Sequence, residues 1–418
     1  MKRFSTLIAL VLLAPAMLLA ANTTTRRHTH ATDKLQDTAK TARTPHAVHG
    51  SVRTTKAHRS MAGATVRRSG SRAGVRRVAL TGGLSRHHKV YERFSGDSFA
   101  ANDLSGDVTA GEDPVVRQAA LDALGNMHGT VVAIDPGNGR ILAMVNQKLA
   151  LSGGAEPCST IKVSVALAAL QEGIITADTP VNLGGHFHMN LTEALAHSNN
   201  LYFETLGRTL GFEKVRHYAM QFGLGELAGY NIDGEQLGTY PETELPEKLG
   251  GVGRMCSFGE GVNMTPLQLG ALVASIANGG TLYYLQHPKT PNEVMALQPR
   301  VKRTLEINKY IPEISSGMQA AVQYGTARSL KVNFNEIPVL GKTGTCSNNG
   351  TRYGWFASYA DTQYGRIVTV FFLEGGRATF GPKAAELTGY FYRNLWQSSY
   401  FAKAQETAEK QAAVGASN

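Results

Sequence analysis

Strand-like runs at both ends of the folded region are the feature that most constrains this sequence. Residues 129–135 and 140–146 are β-rich runs around a Pro-Gly-Asn-Gly connection, which is a hairpin pattern. Three further β-rich runs lie at 339–345, 353–360 and 366–374. Most of the sequence between these two groups of strands has the pattern of helices. The order predicts an α/β fold of the α+β type: a five-stranded antiparallel sheet flanked by helices, with an inserted, mostly helical subdomain.

Apolar periodicity and end signals predict the helices. Thr265-Pro266 is a start signal and Asn278-Gly279-Gly280 a stop signal for one of them. Residues 223–262, dense in glycine and turn residues, are predicted to be loop-rich surface. The predicted helices cover 113–124, the run that begins at Ser159, 191–196, 201–210, 213–222, 267–277 and 382–397.

Charge divides the chain into two unlike regions. Residues 22–95 hold 16 basic and 3 acidic residues, a net charge of +13, whereas the residues from 96 onward hold 24 basic and 29 acidic, a net of −5. The basic region has no apolar periodicity, so we interpret 22–95 as a disordered linker. It is expected to act as a spacer or to adhere to an anionic membrane or wall polymer.

The first residues predict export. Residues 1–21 combine a positive start with a short apolar run that ends in small residues, which is typical of a signal peptide or a short membrane anchor. The folded domain is then assigned to 96–400 and a helical or disordered tail to 401–418. We expect the protein to be located in the periplasm or on the outer face of the cytoplasmic membrane. A nucleic-acid partner is therefore not expected.

Three cysteines, Cys158, Cys256 and Cys346, are an odd number for an oxidising compartment. One pair could be bridged and the third left free, and the sequence does not say which. No Cys/His cluster with ligand spacing is present, so no metal or other cofactor is expected.

Ser159 and Lys162 are candidates for a nucleophile and its base. Three residues apart, they share one face of a helix, and this is the only Ser-x-x-Lys in the chain. The apolar flanks and the helix N-terminus both favour a neutral lysine. The alternative interpretation is a capping serine with a lysine that reaches solvent.

Two further polar motifs follow in the chain. Ser198 and Asn200 lie between two apolar, helix-like segments and could face Lys162. The same Ser-Asn-Asn sequence also occurs at Ser347-Asn348-Asn349. The alternative for Ser198 is a helix cap. The third motif is a predicted strand that carries Lys342, Thr343, Gly344 and Thr345. It could bind an extended peptide and its carboxylate. Alternatively, it could be an edge strand with a protective lysine.

The three motifs in this order resemble the penicillin-binding D,D-transpeptidase family, over roughly residues 114–398. The resemblance implies that Ser159 is acylated, that Lys162 is its base and that Ser198 relays a proton. It assigns substrate binding to Asn200, Lys342, Thr343, Gly344 and Thr345. The implied substrates are D-Ala-D-Ala peptidoglycan stem peptides, with β-lactam antibiotics as acylating inhibitors.

The sequence departs from the family pattern at two points, and it does not show the acceptor pocket, so alternatives stay open. The family usually has glycine where this chain has Cys158, and only the basic arm precedes the catalytic region. D,D-carboxypeptidase action, class D-like β-lactamase action and a penicillin-binding sensor without turnover are the alternatives. Residues 241–246, which echo the Glu-containing loop of class A β-lactamases, are predicted to be ordinary loop.

Overall fold

A computed structural model describes residues 93–362 and 365–402. The predicted signal segment (1–21), almost all of the predicted basic linker and residues 403–418 of the predicted tail lie outside the described residues. None of the described helices is both long and apolar enough to cross a bilayer.

A five-stranded antiparallel sheet forms the centre of the molecule, as predicted. Its five strands are β1 (Gly129–Ile134), β2 (Ile141–Val145), β7 (Val339–Asn348), β8 (Thr351–Thr362) and β9 (Gly365–Gly375), and two short hairpins are formed by β3 (Val181–Asn182) with β4 (His188–Met189) and by β5 (Thr281–Tyr283) with β6 (Val301–Thr304). The strand order in the sheet is β2-β1-β9-β8-β7, so β1, from the start of the domain, pairs with β9, from its end. The strand β7 lies at an edge.

Helices cover both faces of this sheet. The α-helices of the described residues are α1 (Pro114–Leu124), α2 (Gln147–Ala150), α3 (Lys162–Gln171), α4 (Leu191–Ala196), α5 (Asn200–Leu210), α6 (Phe212–Gln221), α7 (Gly251–Phe258), α8 (Pro266–Ala277), α9 (Pro291–Met295), α10 (Ile311–Gln323) and α11 (Gly381–Gln397). Short 3₁₀ helices lie at Cys158–Ile161, Glu247–Leu249, Asn308–Tyr310 and Arg328–Val332.

Alternate residues of each central strand enter different hydrophobic cores. In β1, Val131 and Ala133 face the core shared with α1 and α11, whereas Val132 and Ile134 face the core shared with α3 and α8. Because both faces are covered, the strand is buried throughout. This explains why the early strands read as continuous apolar runs.

The predicted end signals of α8 are confirmed. Thr265 and Gln268 form a reciprocal capping box and Pro266 occupies the first turn. After the helix, Gly279 and Gly280 adopt positive φ angles of 96° and 117°, which glycine accommodates at little cost.

The prediction of loop-rich surface for residues 223–262 is wrong over α7, most of which is buried. Its glycines are packing residues: a Cβ at Gly253 would lie 3.1 Å from the Arg208 guanidinium. On the facing helix α5, a Cβ at Gly207 would meet the Cys256 sulfur at 2.6 Å. The glycines therefore let α5 and α7 approach closely.

A buried ionic cluster joins the loop before α1 to the end of β2. The Arg117 guanidinium donates to Asp107 and to Glu112 at 2.8 Å each, and the two acidic side chains are only 2% and 1% exposed. Glu112 also accepts from the Met144 backbone N–H at 3.0 Å. The arginine is therefore the cation shared by two desolvated carboxylates, both of which also accept from Gln147 and one of which, that of Glu112, contacts His287.

We predict that Arg117→Met lowers the free energy of unfolding by about 3–5 kcal/mol, because both carboxylates would be left buried without their cation. Urea unfolding followed by circular dichroism measures this loss. The control is Lys289→Met, which removes an ion pair with the exposed Asp233 and should cost much less, because solvent screens an exposed pair. Equal costs for the two variants would contradict this account of the cluster.

Candidate active site

The turn that carries Ser159 is a 3₁₀ helix, Cys158–Ile161, that runs directly into α3 at Lys162. The prediction of one continuous helix from Ser159 is thus corrected: the first turn is tighter than an α-helix. The three-residue spacing still places the Lys162 Nζ atom 3.1 Å from the Ser159 Oγ atom. The two side chains are therefore neighbours, as the spacing predicted.

The Lys162 side chain is fully buried and surrounded by oxygen atoms. Its Nζ atom lies 2.7 Å from the Ser198 carbonyl oxygen and 2.6 Å from the Asn200 Oδ1 atom, both of which can only accept. A neutral amine has two N–H groups for these acceptors and keeps one lone pair for a hydroxyl. Burial, and then the charge of Lys342, hold the pKa of Lys162 well below its usual range.

Ser198 lies in the bend between α4 and α5, at a positive φ of 54°. The alternative of a capping serine does not hold, because Asn199 caps α5 by accepting from the Tyr202 backbone N–H at 2.9 Å. The Ser198 Oγ atom lies 3.1 Å from Lys162 Nζ and 2.9 Å from Lys342 Nζ. One hydroxyl thus bridges two buried amines.

The Lys342 side chain extends from β7 into the interior and is 1% exposed, so it is not a protective lysine on an open edge. Its Nζ atom also donates to the Thr343 carbonyl oxygen at 3.0 Å. Burial lowers its pKa to about 7. Near neutrality this amine therefore exchanges its proton readily.

The other residues of the β7 motif contact neighbouring loops. The Thr343 hydroxyl lies 2.7 Å from the Thr326 hydroxyl, and Thr345 Oγ1 accepts from the Gly381 N–H at 2.8 Å. A Cβ atom at Gly344 would lie 2.8 Å from the Pro157 carbonyl oxygen. Glycine at 344 thus lets β7 approach the turn that carries Ser159.

A disulfide joins Cys158 to Cys346, and Cys256 is the free, buried cysteine. This resolves the pairing that the sequence left open. Cys158 adopts a positive φ of 51°, a conformation that favours glycine. Burial raises the pKa of the Cys256 thiol far above its usual range, which makes this thiol unreactive.

The structure brings together Ser159, Lys162, Ser198, Asn200 and Lys342, and it places Thr343, Gly344 and Thr345 next along β7. The competing Ser347-Asn348-Asn349 lies at the end of β7 and in the turn to β8, away from this cluster.

Sequence reasoning did not single out two aromatic neighbours of the site. The centre of the Phe203 ring lies 5.5 Å from Lys162 Nζ, and Trp355 Nε1 donates to the Glu156 carbonyl at 2.9 Å. Aromatic residues in a helix or a strand read as core, so only the three-dimensional arrangement reveals these contacts.

A hydroxyl next to a buried amine of lowered pKa is the arrangement of an activated nucleophile. The sequence profile of the penicillin-binding protein transpeptidase domain matches residues 129–392, which include the whole cluster. The chain belongs to this family.

Curated relatives agree with this assignment. The chain is 30% identical to stage V sporulation protein D of Bacillus subtilis over 257 residues, which cover 51% of this chain and 39% of that protein. It is 25% identical to the peptidoglycan D,D-transpeptidase MrdA of Acinetobacter baumannii over 347 residues, covering 65% and 51%. The match therefore spans 39% of the first relative and about half, 51%, of the second.

Solved structures share the fold. The transpeptidase domain of Burkholderia pseudomallei penicillin-binding protein 3 has a TM-score of 0.59 at 18% identity, covering 69% of this chain and 96% of that one. Pseudomonas aeruginosa PBP2, solved with WCK 5153, has a TM-score of 0.56 at 22% identity, covering 69% and 77%.

We predict that stability depends on pH through Lys342. Its pKa is lowered in the folded state, so between about pH 7 and its ordinary pKa the unfolded chain binds more protons and stability rises with pH. Lys342→Met should remove this contribution, so the unfolding free energy of wild type minus that of Lys342→Met should increase as pH rises from 7 to 9. Urea titrations at several pH values measure it, and a difference that does not change with pH would contradict the lowered pKa.

Proposed function

We propose that the chain is an exported serine D,D-transpeptidase that acts on D-Ala-D-Ala stem peptides through an acyl-enzyme on Ser159 and that is acylated by β-lactams. The observation that carries this proposal is the placement of the buried Lys162 amine 3.1 Å from the Ser159 hydroxyl. Family membership supports the same reaction class.

Acylation begins with proton transfer from Ser159 Oγ to Lys162 Nζ. The alkoxide then attacks the carbonyl carbon of the D-Ala-D-Ala peptide bond and forms a tetrahedral oxyanion, which the backbone N–H groups of Ser159 and Thr345 stabilise. Collapse of this intermediate breaks the C–N bond. The leaving D-alanine amine takes a proton that Lys162 returns through Ser198. The Ser198 hydroxyl lies 3.1 Å from Lys162 Nζ and can therefore relay this proton.

The donor peptide binds along β7. An edge strand presents unpaired backbone groups, so an extended peptide can pair with it as an added strand. Lys342 in its charged form attracts the terminal carboxylate, and the hydroxyls of Thr343 and Thr345 are positioned to bind it. Asn200 holds Lys162 in place by accepting its hydrogen bond at 2.6 Å.

Deacylation completes the cycle when an amine of a second stem peptide attacks the ester carbonyl and releases Ser159. Water as the acceptor would instead give D,D-carboxypeptidase action. The β-lactamase alternative gains nothing from residues 241–246: Glu242 and Glu244 line a separate cleft together with Arg208, Phe212 and Val252.

The proposed location is the periplasm or the outer face of the cytoplasmic membrane. The disulfide between Cys158 and Cys346 supports an oxidising compartment. Together with the signal-like residues 1–21, this favours export. The basic linker remains a proposed contact to anionic membrane or wall polymer.

Incubation of the protein with a penicillin tests the proposal by intact mass. We expect a lasting adduct on wild type and none on Ser159→Ala. Lys162→Met should slow adduct formation by about 10²–10⁴-fold, the usual contribution of a general base. Rapid hydrolysis of the drug without an adduct would indicate a β-lactamase, whereas no reaction at all would contradict an acyl-enzyme. Stem-peptide donor and acceptor then distinguish cross-linking from trimming.

The acylation rate should follow a bell-shaped pH profile. It falls on the acid side as Lys162 gains a proton, at a pH well below the ordinary lysine pKa. For a substrate that carries a carboxylate, it falls above about pH 7 as Lys342 loses its charge. Lys342→Arg, which stays charged, should move the alkaline limb to higher pH. Stopped-flow acylation across pH 5–10 measures both limbs, and a flat profile would count against Lys162 as the base.

A further inference from the structure

The Cys158–Cys346 disulfide joins the two halves of the candidate active site. Cys158 directly precedes Ser159, and Cys346 directly follows Thr345 on β7. We propose that this bond is a positioning element for acyl transfer: it holds the turn that carries Ser159 against β7, and the acylation rate depends on its oxidised state. The inference rests on the proposed role of Ser159.

The contact that the disulfide spans is close because Gly344 carries no side chain. A Cβ at Gly344 would lie 2.8 Å from the Pro157 carbonyl oxygen and 3.1 Å from the Thr160 methyl carbon. A hydrogen bond from Trp355 Nε1 to the Glu156 carbonyl also joins the sheet to this turn. At so close a contact, a covalent link fixes the distance between turn and strand.

The backbone of Cys158 points to the same role. At φ 51° glycine would be the relaxed choice, and a residue with a Cβ is strained there. Glycine could not form the disulfide. Cysteine at this position therefore forms a covalent bond to β7 at the cost of a strained backbone.

The two shortest contacts of the Lys162 amine lie outside the elements that the disulfide joins. Its amine is held by Ser198 and Asn200, which belong to the α4–α5 region and not to β7. Opening the bond should therefore displace Ser159 relative to the substrate strand and leave in place the burial of the base, which is the main cause of its lowered pKa and outweighs the charge of Lys342 on β7. A misplacement of about 1 Å costs on the order of 100-fold in rate.

The bond can be opened selectively. The Cys346 side chain is partly exposed, whereas Cys158 is buried. A dithiothreitol thiolate attacks the Cys346 sulfur and displaces the Cys158 thiolate. The second thiol of the reagent then attacks the mixed disulfide, which yields two protein thiols and oxidised dithiothreitol. The buried Cys256 has an unreactive thiol and does not interfere.

The experiment measures acylation by a fluorescent penicillin for the oxidised protein, the dithiothreitol-reduced protein and Cys158→Ser/Cys346→Ser. We expect the reduced protein and the double variant to acylate about 10–100-fold more slowly, with the loss in the acylation rate constant and not in the non-covalent binding constant. Reoxidation should restore the wild-type rate, and the reductant should not affect the double variant. Cys256→Ala serves as the control and should respond to reductant as wild type does.

Two further readouts separate positioning from unfolding. The acid limb of the pH profile, which reports Lys162, should not move on reduction, and the far-ultraviolet circular dichroism and a cooperative urea transition should be retained. Full-speed acylation by the reduced protein would overturn the proposal, as would a slow rate accompanied by a shifted limb or lost dichroism. Failure of the oxidised wild type to form any adduct would instead refute the proposed function itself.

Discussion

The site depends on the burial of two amines around one hydroxyl. Lys162 and Lys342 reach Ser198 Oγ from opposite elements, α3 and β7, at 3.1 and 2.9 Å. Two ammonium groups this close, both out of water, would repel strongly, so at least one is driven to the neutral form. Desolvation and mutual repulsion thus favour a neutral Lys162 amine beside the Ser159 hydroxyl.

The fold brings those amines together because its sheet is assembled from both ends of the chain. The α3 helix packs beneath the sheet, within the core that also contains Val132 and Trp355. The α4–α5 bend supplies Ser198 from the helical insertion. Gly344 then permits the close approach of β7 to the nucleophile turn. Each functional group therefore sits on an element whose position is fixed by a hydrophobic core.

Much of this arrangement could be predicted from the sequence, since period-two and period-3.6 patterns report burial directly. The five strands, α8 with its caps and the Ser159–Lys162 spacing follow from such local rules. The helix α7 was missed because glycines that permit close helix packing look the same in sequence as glycines in turns. The cysteine pairing was not predictable either, because 188 residues separate the two partners.

The pairing of β1 with β9 also has a consequence for biosynthesis. Gly129 pairs with Leu373, so a ribosome must deliver nearly the whole domain before the central sheet can close. Until then the Lys342 amine on β7 has not met the Ser198 hydroxyl of the α4–α5 bend, and the cluster of two amines around that hydroxyl is incomplete. Contacts this distant in sequence form slowly, so the two-amine cluster is completed late in the folding of the domain.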